Sequence, residues 1–175
     1  MTLCRLLLAG FACCACAAVQ AQGREFIIYD GQTYPGDQLD VAAASPVMVK
    51  PPQRLANGDY SIPRAADGHY YVSGLVNGFP VVFMVDTGAR FTSLPAKLAR
   101  NAGIRAGRVA SFDTAAGRER GGITAANTVV VGPFTVPDAA VAVLERLSTP
   151  LLGMDVLNRF QVAYAGGFMV LRSAR

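Results

Sequence analysis

Val81-Val82-Phe83-Met84-Val85-Asp86-Thr87-Gly88-Ala89 is the stretch whose reading decides the fold. Five apolar residues run unbroken into a carboxylate, a hydroxyl and a glycine. A run of this kind, β-branched and aromatic in character, predicts a buried strand. A carboxylate at the end of such a strand is costly unless something pairs with it or uses it. Thr87 can bond locally, and Gly88 lets the backbone turn sharply and approach another chain or a ligand.

Upstream, His69 to Val76 and Phe79 to Val85 flank Asn77-Gly78, a dipeptide that tolerates positive φ and predicts a two-residue hairpin. The second arm of that hairpin delivers Asp86. Downstream, Ser93 is placed to cap a short helix with Pro95 in its first turn, running to about Ala102 and ended by Gly103. A second hairpin is expected from Ser111 to Ala115 and Gly122 to Val131, with Gly117, Gly121 and Gly122 giving it mobility. Gly132-Pro133 turns the chain into Phe134 to Val136, and Ala139 to Leu144 reads as another strand. Asp155 is placed to cap a short helix through Arg159, and Gln161 to Tyr164 and Phe168 to Arg172 pair around Gly166-Gly167. Many short strands with turn punctuation and only one or two short helices predict an all-β class and a small closed barrel.

Composition narrows the chemistry. The 175 residues allow one domain plus extras, with an ample apolar fraction for a core. The net charge of +4 is mildly basic. Arg105, Arg108, Arg118 and Arg120 gather loosely around the second hairpin and read as a solvated surface, because nucleic-acid binding calls for denser basic character with aromatics. All four cysteines (Cys4, Cys13, Cys14, Cys16) lie in the first sixteen residues, so the remaining chain has no disulfide, thiol nucleophile or thiolate zinc site. His69 is the sole histidine and reads as a strand-edge residue, since a metal site or triad needs partners that are missing. Neither a phosphate-cradling loop nor a nucleophile elbow is present. Elimination leaves carboxylate chemistry, and no metal or organic cofactor is implied.

Residues 1–21 read as a secretory signal: Arg5 is the single charge, Leu6 to Val19 is apolar, and Val19-Gln20-Ala21 offers small residues for cleavage. The run is short for a bilayer span. Cleavage near Ala21 predicts a periplasmic or secreted protein, with retention of the leader as a membrane anchor as the alternative. Residues 22–64 lose periodicity and are punctuated by Pro35, Pro46, Pro51, Pro52 and Pro63, so they are expected to form a tether or propeptide-like segment. The folded domain is expected over residues 65–175.

Asp86-Thr87-Gly88-Ala89 behind an apolar run resembles the active-site turn of aspartic proteases, and Leu151-Leu152-Gly153 resembles the apolar-apolar-Gly loop that packs behind that turn. Between them, Thr114-Ala115-Ala116-Gly117 stands where such proteins carry a flap hairpin. The order is that of the bacterial retropepsin-like branch (clan AA), and the resemblance covers about Gly68 to Ser173. It implies a retropepsin-like acid-protease barrel with one lobe per chain and Asp86 as the catalytic acid. Thr87 would lock two turns together across a dimer axis, Gly88 and Ala89 would complete the turn, and Leu151, Leu152 and Gly153 would support it. Residues 114–117 would close over an extended protein or peptide substrate.

This chemistry needs two carboxylates sharing a proton, and the chain has one such motif. Asp113-Thr114-Ala115 is superficially similar, but its third residue is not glycine. The second acid is therefore expected from another copy in a two-fold homodimer. Arg90 departs from the family pattern and would favour an ionised Asp86. The alternative reading is a catalytically silent module of the cell envelope that binds peptide or dimerises.

Overall fold

The computed structural model describes residues 26–29, 32–35, 47–49, 51–105, 107–114 and 117–173. The expected signal segment, most of residues 22–50, and Ala115 and Ala116 lie outside the described residues. In chain order the elements are β1 (Phe26–Tyr29), β2 (Gln32–Pro35), β3 (Val47–Val49), β4 (Gln53–Arg54), β5 (Tyr60–Pro63), β6 (Tyr71–Val76), β7 (Phe79–Val85) and β8 (Thr92–Pro95). There follow α1 (Ala96–Asn101), β9 (Arg108–Thr114), β10 (Gly117–Val131), β11 (Phe134–Leu144), β12 (Leu151–Leu152), α2 (Met154–Leu157), β13 (Phe160–Ala165) and β14 (Phe168–Ser173). None of the described helices is long and apolar enough to cross a membrane.

The predicted first hairpin forms with Asn77 at φ 50° and Gly78 at φ 84°, and its arms pair from Tyr71↔Met84 to Val76↔Phe79. Positive φ at both central residues matches the twist of the flanking strands. Val81, Phe83 and Val85 of β7 are buried, while Val82 and Met84 pack on the other side against Ala65 and Tyr71. Burying such side chains is worth about 1.5–3 kcal/mol each, enough to fix the strand that carries Asp86 at its end.

The strands do not form the single closed barrel that was expected. Among the described residues they divide among three sheets, of which the largest has the order β11-β8-β12-β7-β6-β10-β9. An extra pairing of β10 with β11 curls this sheet back on itself, with register shifts around Asn127 where the long strands bend. A separate sheet, β13-β14-β5-β4, takes up the C-terminal hairpin. Its β14 pairs with β13 on one side and β5 on the other, and Ile62 of β5 is fully buried in the main core. Residues 60–63 thus belong to the packed unit, ahead of the expected start at Ala65. Asp59 and Arg172 tie the same two strands by a two-pronged ion pair with Nη2 at 2.7 Å.

Two expected caps are replaced. Ser93 lies in β8 and its hydroxyl donates to the Phe91 carbonyl, so α1 starts at Ala96 with Pro95 at its N-cap position and no side-chain cap. Gly153 precedes α2, and Asp155 uses its carboxylate elsewhere.

Candidate active site

Asp86 stands at the exit of β7, where three levels of backbone bonding fix its position. Leu151 and Leu152 of β12 lie parallel to Met84 and Val85. The Asp86 N–H donates to the Leu152 carbonyl at 3.1 Å, and the Val85 N–H donates to Tyr70 at 2.8 Å. The turn then folds over the side chain: the Gly88 and Ala89 N–H groups donate to Asp86 Oδ1 at 2.8 and 3.2 Å. Both of these bonds fall on one oxygen, so the carboxylate is oriented, and Asp86 lines the cleft.

Leu151 and Leu152 run beside the end of β7, and the residues after them bond back to the turn. Met154 N–H donates to the Ala89 carbonyl at 2.8 Å and Asp155 N–H to Arg90 at 3.2 Å. Gly153 is required by close approach: a Cβ there would stand 2.4 Å from the Phe91 carbonyl carbon and 2.7 Å from the Thr92 nitrogen. Thr87 and Gly88 are exposed at the tip of the turn.

Asp155, expected as a helix cap, is instead a cross-brace. Its Oδ1 accepts from the Thr92 N–H at 2.8 Å and from the Thr92 hydroxyl at 2.9 Å, while that hydroxyl accepts from the Gly153 N–H at 3.2 Å. Its Oδ2 is buried without a hydrogen-bond partner among the described residues. Burial raises the Asp155 pKa, and the bonds from Thr92 oppose that rise.

The second hairpin forms one wall of the cleft. β9 and β10 pair from Thr114↔Gly117 to Arg108↔Ile123, so the second arm starts at Gly117, five residues before the expected Gly122. Thr114 and Gly117 flank the tip, where the Thr114 hydroxyl donates to the Gly117 carbonyl at 2.7 Å. Ala115 and Ala116 lie outside the described residues. Two contacts hold the hairpin over the turn. Phe112 meets Phe91 edge to face with centroids 6.5 Å apart. From the loop after β11, Arg146 donates to Glu119 at 2.9 Å and to the Arg118 carbonyl at 2.7 Å. Between these walls lies a cleft of about 880 Å³.

Sequence reasoning missed Thr92, Asp155, Glu119 and Arg146 as a bracing set, because each pair is distant in sequence. It also took Arg108 as part of a solvated surface, whereas Arg108 lines the cleft. Strand alternation supplied a signal: Arg108 shares its face of β9 with Ala110 and Phe112.

A family model described as "gag-polyprotein putative aspartyl protease" matches residues 72–159. The chain is 33% identical over 107 residues to an uncharacterized protein of Rickettsia prowazekii (strain Madrid E), covering 59% of this chain and 46% of that protein. It thus spans about half the length of that curated relative. The crystal structure of a retropepsin-like aspartic protease from Rickettsia conorii matches with a TM-score of 0.58 and 31% identity, covering 65% of this chain and 89% of that one.

Proposed function

The chain belongs to the retropepsin-like aspartic protease family, and from that premise we propose that it hydrolyses peptide bonds with a water activated between Asp86 and Asp86 of a second copy. The observation that carries this reading is the clamped turn: Gly88 and Ala89 hold one oxygen of Asp86, which lines the cleft. Two such carboxylates about 3 Å apart share one proton, so one draws a proton from water while the other donates to the substrate carbonyl. One copy supplies one acid. The exposed Thr87 and Gly88 at the tip suit a two-fold contact that brings the second.

The hairpin of β9 and β10 supports a protein or peptide substrate held in extended form, because it covers the turn as a flap would. Leu151, Leu152 and Gly153 take a supporting part, and residues 114–117 a closing part. The apolar leader supports a periplasmic or secreted location.

The test is cleavage of a diverse peptide mixture by the wild type and by Asp86→Asn, from acid to neutral pH. Cleavage is expected to vanish in the variant while its thermal unfolding stays the same. Specific activity is expected to rise with protein concentration as copies associate. Undiminished cleavage by Asp86→Asn sinks the proposal.

A further inference from the structure

The charged side chains lining the cleft do not balance one another locally. Two of its three acids are paired with arginines, Asp113 with Arg118 at 2.8 Å and Glu119 with Arg146 at 2.9 Å, while Asp86 is held through one oxygen by the turn's N–H groups. Of its cations, Arg146 is satisfied by Glu119 and the Arg118 carbonyl. Arg90 and Arg108 are exposed in the cleft and have no carboxylate partner among the described residues. Arg90 lies over the Phe91 ring at 5.1 Å from its centroid, and Phe91 meets Phe112 on the wall that carries Arg108. An apolar floor is thus flanked by a guanidinium from the active-site turn and another from the flap arm.

A guanidinium presents a rigid fork of donors that matches a carboxylate, and its contact attraction outweighs repulsion from an acid across the cleft because the interaction falls with distance. The catalytic pair also shares a proton and carries one negative charge rather than two. We propose that the cleft selects extended peptides in which an acidic side chain neighbours an apolar one. Arg90 and Arg108 receive the carboxylate, and the Phe91–Phe112 floor receives the apolar group. This rests on the reading of the cleft as a peptide site and adds the class of peptide it takes. The two arginines act on substrate binding and specificity.

The test separates binding from cleavage. Asp86→Asn protein, with Asp86→Ala as a second inactive form, is titrated with two fluorescein-labelled peptide pools. The pools are identical, rich in Leu and Phe, except that one carries Glu and the other Gln at the central positions. The Glu pool is expected to bind about tenfold tighter, as one well-made charge-assisted contact allows. The preference should shrink at high salt and disappear when Arg108→Gln and Arg90→Gln are added. Equal binding of the pools, binding to neither, or a preference that survives both arginine changes overturns the inference. Digestion of the Gln pool by wild type but not by Asp86→Asn would show that the protease reading stands even where this inference has failed.

Discussion

Replacing Gly153 by alanine tests the packing that holds the turn after Asp86. Gly153 has φ −92° and ψ 178°, an extended conformation open to any residue, so alanine suffers no backbone penalty there. The whole cost is steric. The added Cβ would lie 2.4 Å and 2.6 Å from the Phe91 carbonyl carbon and oxygen, and 2.7 Å from the Thr92 nitrogen. These are backbone atoms that cannot rotate away, and ordinary contact begins near 3.4 Å, so the two segments must part by about 1 Å. Overpacking of this kind costs about 1–3 kcal/mol, and weakening the bond from Gly153 N–H to the Thr92 hydroxyl adds about 1 kcal/mol. For a domain of this size the sum lowers Tm by roughly 8–15 °C. A shift of about 1 Å transmitted through Met154 and Ala89 to Asp86 would also cost about 100-fold in cleavage rate. Circular dichroism melts and peptide cleavage read the two effects. Gly58→Ala is the control: its φ is +88° with open space around it, so about 1 kcal/mol of stability and no activity should be lost. A Gly153→Ala protein that melts within about 2 °C of wild type and cleaves at full rate would refute the close-packing argument.

Three further outcomes are expected. Thr92→Val keeps the side-chain shape but strips the Gly153 N–H and Asp155 of a partner, so denaturant unfolding should show a loss of about 1–3 kcal/mol. Burial raises the folded-state pKa of Asp155 above its ordinary 3.8, so the folded state holds its proton longer than the unfolded chain does. Its contribution is therefore full below that ordinary value and is lost as pH rises through the raised one; Asp155→Asn should flatten the corresponding part of the stability–pH curve, seen as unfolding midpoints across mildly acidic pH. Arg146→Ala removes the tie from the loop after β11 to Glu119 and the Arg118 carbonyl, so amide exchange in β9 and the first half of β10 should quicken and KM should rise, with the global Tm nearly unchanged.

Much of the architecture was written in short windows of sequence. The strand β7, the Asn77-Gly78 turn and the Gly166-Gly167 turn follow from residues that are neighbours in the chain, because apolar runs and permitted φ are local properties. Local rules misled where a distant partner offered a better bond. Asp155 has the look of a cap, yet it braces Thr92, 63 positions away, because the β12–β8 pairing brings that N–H and hydroxyl to it together. Ser93 likewise reads as a cap but lies in a fully buried strand.

The sequence alone thus determined the strand that ends in Asp86, the turn that follows and the family of folds able to hold them. Tertiary structure decided what surrounds the acid: the residues 60–63 strand drawn into the C-terminal sheet, the Arg146 tie on the β9–β10 hairpin, and the two arginines without a carboxylate partner among the described residues. The physical reason is that periodicity and turn chemistry fix backbone shape over a few residues. Which side chains meet across a sheet or a cleft depends on the register of strands far apart in the chain, and no local pattern encodes that register.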